Sequence, residues 1–530
     1  MAIFLKFGGM MRQKRSGQTK RQQKKPVRQS DSQSPERDHE WPENIDVMYG
    51  RVAEAWGKCD DIRFRWIQVG GRKAFIVCIY TLIGKELLQE GLLEPLTTFD
   101  KSDKSIEDLE QALRTVSLKP VKNLEEINVA IGSGEAVLCV DGWDRGLAMD
   151  LMDFQGRAVE KAASESVVRG PQEAFTESLE KNLALYRRRL KSPNAKVEYM
   201  TLGRVSKTTI ALVYVQGIVK PGLVEECRER LRRIDVDSVL DAGYIEEMID
   251  DAPLSPFPTI EYTERPERLA AEILQGRIGI LVDGSPNALL APAIFVHFLQ
   301  SAEEYFERYT MATAVRLLRH FFFWLALLLP ATYVALLSYH QEMIPTTLLI
   351  TLISTHEQIP FPSVVEALIM EITFEALREA GLRLPRAVGQ SVSIVGALVI
   401  GEAAVNAGIV TPAMVIIVAL TGIASFAIPS YNIAISLRIL RFPVLLLAGV
   451  LGLYGIIIAA LILWIHLASL RSFGVPYLSP MAPLIWSDLK DVFVRAPWWQ
   501  MRRRPKTLEP LDLVRSAEVT RPVPGQPGED

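Results

Sequence analysis

Apolar residues follow two patterns along this chain. Up to about residue 315 they come in short runs rich in β-branched side chains, among them FIVCIY (75–80), AVLCV (136–140), TIALVY (209–214) and IGILV (278–282), with charged helical stretches between them. This pattern predicts buried strands covered by helices, an α/β fold. Further along the runs outgrow any strand. FFFWLALLLPATYVALLSY (321–339) holds 19 positions without a charge, close to the roughly 20 residues that a helix needs to cross hydrocarbon.

Three more stretches read as membrane candidates: 391–410, interrupted by Glu402; 412–428, bounded by Pro412 and Pro429; and 442–465. The apolar segment 343–355 is too short to cross alone and reads as re-entrant or interfacial. Pro360 and Pro362 then fix an extended lead-in to a helix from about Ser363 to Gly381. The expected architecture is a duplicated α/β domain followed by an all-α polytopic membrane domain of about 4–6 membrane helices, one of which can be re-entrant. The divisions are a basic head (1–43), a first α/β subdomain with a connecting helix (44–190), a second (191–315), the transmembrane part (316–470) and a tail (471–530).

The duplication rests on two offsets. Tyr80 and Tyr214 close similar runs 134 residues apart, and AVLCVDG (136–142) aligns with IGILVDG (278–284) at an offset of 142. The repeated Val-Asp-Gly reads as a turn ending a strand, because Gly accepts positive φ and Asp caps locally. The connector RGPQEAFTESLEKNLALYRRRL (169–190) reads as a long charged helix, acids early and arginines late, facing solvent.

Charge refines the picture. Net charge is only -3, yet residues 1–40 hold ten Lys or Arg against four Asp or Glu, the mark of a solvated, disordered head. Contact with lipid headgroups or nucleic acid is an alternative for it, but nothing downstream resembles a nucleic-acid module. Its apolar opening is too short for a cleaved signal peptide. Arg316 and Arg319 precede the first span and place that end, with the α/β domain, in the cytoplasm. Loop charge also favours a crossing by 361–380, which puts Arg383, Arg386, Arg438 and Arg441 on the cytoplasmic side and the Arg-rich tail on the opposite one. The four cysteines, Cys59, Cys78, Cys139 and Cys227, all precede the first span and suit a reduced compartment.

Acids in the membrane half are the candidate chemistry. Glu371, Glu375 and Glu379 share one helix face, readable as solvated, with Arg378 and Arg383 as partners, or as a vestibule for cations. Glu366 falls on the opposite, apolar face and needs a partner or water. Glu402 stands mid-span among Gly and Ala residues that let helices approach closely, on a stripe with Ser391, Leu398 and Asn406. His466 reads as interfacial. No Ser/His/Asp, Cys/His or HExxH arrangement occurs, so neither an enzyme nor a metal or other cofactor is expected.

The connector 169–190, the run 360–442 that begins PFPSVVEALIMEITFEALREAG, and LRSFGVPYLSPMAP (470–483) closely resemble the A subunit of the GerA-type spore germination receptors, over roughly residues 44–483. The resemblance implies a subunit of the inner spore membrane, working with a permease-like B subunit that recognises the nutrient and a lipoprotein C subunit. It also implies a homo-oligomeric, pentameric ring acting as a ligand-gated cation channel, with no enzymatic activity. The chain departs from the family pattern at two places: His356, Glu357 and Gln358 stand where Arg-Glu-Gly is common, and Glu402 where Gln is frequent. On this reading Ser391, Leu398, Val399, Glu402 and Asn406 line the pore, and Glu366, Glu371 and Glu375 mark a vestibule or coupling helix. A secondary transporter and a non-conducting scaffold for the permease-like partner are the alternatives.

Overall fold

The computed structural model describes residues 41–42, 44–98, 109, 113, 117–152, 165, 167, 169–383 and 399–517. The first α/β unit contains α1 (Ile45–Ala55), β1 (Ile62–Val69), β2 (Arg72–Ile79), β3 (Leu118–Val121), α2 (Leu124–Gly132), β4 (Ala136–Val140) and β5 (Gly146–Met149). Its sheet runs β1-β2-β4-β5-β3, all neighbours antiparallel. The second unit contains α3 (Leu179–Arg189), β6 (Ala195–Leu202), β7 (Thr208–Val215), α4 (Pro221–Arg233), α5 (Ala242–Ile249), β8 (Glu261–Thr263), α6 (Pro266–Ile273), β9 (Ile278–Val282) and β10 (Ala288–Ala291). Its order, β6-β7-β9-β10-β8, matches the first strand for strand.

The repeated Val-Asp-Gly turns confirm the duplication at the level of single bonds. Gly142 and Gly284 both take positive φ, and each preceding Asp caps a helix. Asp141 accepts from the Ile45 N–H at 3.4 Å and Asp283 from the Leu179 N–H at 3.1 Å. Helix α3 thus stands in the second unit where α1 stands in the first. It is neither long nor solvent-facing: only Leu179–Arg189 is helical, and Asn182 through Arg187 are buried. The reason is Arg187. It reaches back to the first unit and holds Asp61 with two bonds of 2.7 and 2.8 Å, both side chains fully buried.

The helical half begins with α7 (Tyr309–Tyr339), followed by α8 (Thr346–His356), α9 (Ser363–Arg383), a helical stretch over 399–406, α10 (Pro412–Phe426), α11 (Tyr431–Leu451) and α12 (Leu453–Ser469). Among the described residues α7 and α11 are the two helices long and apolar enough to cross a membrane. The apolar run 442–465 is not one span. Gly452 takes φ +61° between α11 and α12, and the two helices fold back on each other so closely that a Cβ at Gly455 would lie 2.1 Å from the Leu447 carbonyl oxygen. Hydropathy is blind to this break, because both arms of the hairpin are apolar.

Contacts give each helix its direction. The start of α7 is tied to the second unit, its end meets the end of α11 through the Tyr339 hydroxyl and the Gly449 carbonyl (2.9 Å), and α12 returns to set His466 against Ser255 (2.8 Å). The tail stays there. After β11 (Arg471–Ser472) and β12 (Val475–Pro476), Phe473 sits in the core of the second unit, the Ser472 hydroxyl joins the Ala293 N–H and the Thr259 carbonyl, and Lys220 pairs with Glu509 at 2.6 Å. The described part of the tail, up to residue 517, thus packs on the second α/β unit, whereas loop charge put the tail on the opposite side from it. Arg438 and Arg441, counted there as loop charges, lie inside α11. Arg316 is fully buried against Glu304 and Asp491, and Arg319 also pairs with Glu304.

Candidate functional site

Helix α9 starts at Ser363, as its Pro-Phe-Pro lead-in predicts, and its carboxylates climb the bundle one turn at a time. Glu366, in the first turn, is completely buried. Its Oε1 accepts from the backbone N–H and the hydroxyl of Thr411, the hydroxyl at 2.5 Å. Thr411 is the N-cap of α10 and accepts from the Met414 N–H at 3.1 Å, so one threonine ends a helix and solvates a carboxylate. The other oxygen, Oε2, lies 3.8 Å from Nε2 of His356, which bonds the Ser363 hydroxyl at 3.0 Å. The apolar face predicted for Glu366 is real, and its partners come from the ends of α8 and α10. The His340 ring lies against Gly452, where α11 turns into α12.

The three aligned acids separate. Glu371 is buried against Arg441 at 2.5 Å. The same guanidinium donates from Nε to the Ala326 carbonyl of α7 at 3.0 Å. That carbonyl stands four residues before Pro330, which has no N–H to offer it. Glu375 pairs with Arg438 and lies 3.9 Å from Arg378, whose own guanidinium bonds the Ser425 hydroxyl at 3.0 Å and packs over Phe374 and Phe426. Glu379 pairs with Arg383 in the open. With Glu371 on Arg441 and Glu375 on Arg438, α9 and α11 run antiparallel, joined by two ion pairs a turn apart. The arginines of α11 are the functional residues that the linear reading missed; their spacing of three within an apolar helix, against acids spaced by four, was the available signal.

The stretch around Glu402 is arranged otherwise. Over 399–406 the backbone is helical, Gly401 is buried, and Val399, Glu402 and Asn406 are exposed on one face, Val399 by 55%. Glu402 has no ion-pair partner among the described residues. Ser391 and Leu398 lie outside the described residues. Among those described, no group of His, Cys, Asp and Glu is placed to hold a metal ion.

Comparisons with known proteins bear on this arrangement. The profile of the Bacillus/Clostridium GerA spore germination protein family matches residues 51–507. An uncharacterized membrane protein of Bacillus subtilis (strain 168), YfkQ, is 47% identical over 452 residues, spanning 85% of this chain and 88% of that protein. Spore germination protein KA of the same strain is 45% identical over 478 residues, with 88% and 87% covered. The crystal structure of the N-terminal domain of the A subunit of the Bacillus megaterium spore germinant receptor GerK3 is similar at 34% identity and a TM-score of 0.39, over 48% of this chain and 97% of that one.

Proposed function

Since the chain belongs to the GerA spore germination family, the A subunits of spore germinant receptors, we propose that it is the channel-forming subunit of a nutrient germinant receptor in the inner spore membrane. Its α/β units lie in the cytoplasm, and the helices cross the membrane from α7 to α12. Copies of the chain form a pentameric ring beside a permease-like B subunit, which recognises the nutrient, and a lipoprotein C subunit.

The observation that carries this reading is the exposed stripe of Val399, Glu402 and Asn406. An unpaired carboxylate is expensive in hydrocarbon and normally faces protein or a water-filled cavity. A ring of chains supplies both, with Glu402 repeated around a lumen where carboxylates favour cations and Leu398 and Val399 narrow the passage. The exposed, small Ala403 allows close packing between copies, while Gly401 is buried against Val415 within the chain. Glu371 and Glu375 act in the coupling helix: through Arg441 and Arg438 they bind α9 to α11, whose first turns touch the second α/β unit at Glu246 and the Pro256 carbonyl. A shift of that unit is thereby passed to the helices around the lumen.

The test is cation flux through liposomes carrying the purified chain. Flux that falls about tenfold in Glu402→Gln, with the oligomer unchanged, is the expected result, about 1.4 kcal/mol of lost stabilisation for the permeating ion. A sealed membrane around a monomeric protein would overturn the channel in favour of a scaffold.

A further inference from the structure

Between α7, α11 and α12 lies a cavity of about 330 Å³. Trp324 and Leu328 of α7, Val444 of α11 and Leu463 of α12 form its walls, and Phe257 closes it toward the α/β units. The ring of His466 also borders it, but its Nε2 is already bonded to the Ser255 hydroxyl. Among the described residues no other titratable side chain lines it. Its deep residues Phe257, Leu327, Val444 and Leu463 are buried, whereas Ile462 and Pro443 at the rim are exposed, so it opens sideways between α11 and α12.

We propose that this cavity is a binding site for a single hydrocarbon chain, the acyl chain of a membrane lipid entering between α11 and α12. Water does not fill an apolar cavity that offers it no polar partners, and an unfilled one forfeits the dispersion contacts of its lining. The size falls at the lower end of that of small-molecule pockets. Its mouth is continuous with the exposed apolar surface of α12, on which Ile457, Leu461 and Ile465 are each at least 59% exposed. The inference rests on the bundle being embedded in a membrane, since hydrocarbon is then what adjoins the opening. It assigns a consequence to the site: Leu440 and Pro443, on either side of Arg441, are among its lining residues, so the occupant props α11 against α7 where that arginine spans them.

The experiment uses the full chain in lipid vesicles doped with a phosphatidylcholine that carries a diazirine near the end of one acyl chain. Photolysis and mass spectrometry then map the adducts. Adducts at Leu440, Val444 and Leu463 are expected, falling at least fivefold in Ala460→Phe, which fills the cavity, and in Ile462→Trp, which obstructs the mouth from an exposed position. Adducts at the outer positions Ile457 and Ile465 are expected to persist in both variants. Labelled outer positions with an unlabelled cavity would overturn this inference alone. Unlabelled positions throughout would overturn the membrane reading with it. Cross-links from the cavity to a second copy of the chain would assign the site to a neighbouring subunit and overturn the lipid.

Discussion

Arg441 donates to the Ala326 carbonyl that Pro330 leaves without its helical partner, and the same guanidinium neutralises Glu371. One side chain thus repairs a helix on one neighbour and pairs a buried acid on another. Arg441→Leu leaves a buried carboxylate and a buried carbonyl unpaired, and is expected to destabilise the bundle by about 3–5 kcal/mol. Adding Glu371→Leu should recover most of that loss. Adding Pro330→Ala should recover about 1 kcal/mol by returning an N–H to Ala326. Unfolding of the four proteins in mixed micelles checks the order; an Arg441→Leu protein as stable as its parent contradicts it.

The buried pair between the α/β units makes a parallel prediction outside the membrane. Asp61→Asn or Arg187→Met alone should cost about 3–5 kcal/mol, and the double variant less than the sum, because neither leaves the other's charge stranded. Denaturant unfolding of the full chain, followed through the fluorescence of Trp56, which packs on Arg187, reads both.

Glu246 faces α11 across the junction of the two halves and accepts from the Asn432 side chain at 3.3 Å. Burial, with Asp250 and Asp241 nearby, pushes its carboxyl up to about 7 from an ordinary 4.5. Between those values the folded chain holds a proton that the unfolded chain has released. The contribution of Glu246 to stability should therefore decline as pH rises from 4.5 through 7, by roughly 3 kcal/mol for a shift of this size, against an opposite contribution from His297, whose imidazole is pushed down to about 4 by burial. Hydrogen exchange of residues 241–249 and 431–436, corrected for intrinsic rates, should show the junction loosening over that range. In Glu246→Gln this loosening of the junction should be lost.

Gly452 turns α11 into α12 with φ +61°, and a Cβ there would lie 2.8 Å from the His340 ring. Gly452→Ala is expected to cost about 1–3 kcal/mol from backbone strain, with the ring contact adding to it. Thermal unfolding in micelles measures the loss, and a wild-type melting temperature would contradict it.

The α/β duplication is legible in the chain because local runs carry it: the strands at 75–80 and 209–214, and the twin Val-Asp-Gly turns whose acids cap α1 and α3. So is the start of α9, fixed by two prolines, and the need of Glu366 for a partner. Which groups answer that need is a matter of tertiary distance. Thr411 is 45 residues from Glu366, and Arg441 is 70 from Glu371. The charges of Arg438 and Arg441 misled because a positive-inside argument assumes arginines in loops, and these two lie inside α11 against carboxylates. The connector 169–190 misled through Arg187, whose charge suggested solvent although its partner lies in the other unit.

Phe473 completes the core of an α/β unit whose other members lie between Leu202 and Ala291. During synthesis the ribosome must therefore make every helix from α7 to α12 before that unit acquires its last core residue. Until the bundle has been made, the second unit lacks the side chain that covers this edge of its core, and a chain truncated within the helices leaves that edge bare. Late closure of this kind places the covering of that core after synthesis of the helical half, so the last contact of the α/β half is made in a built-in order.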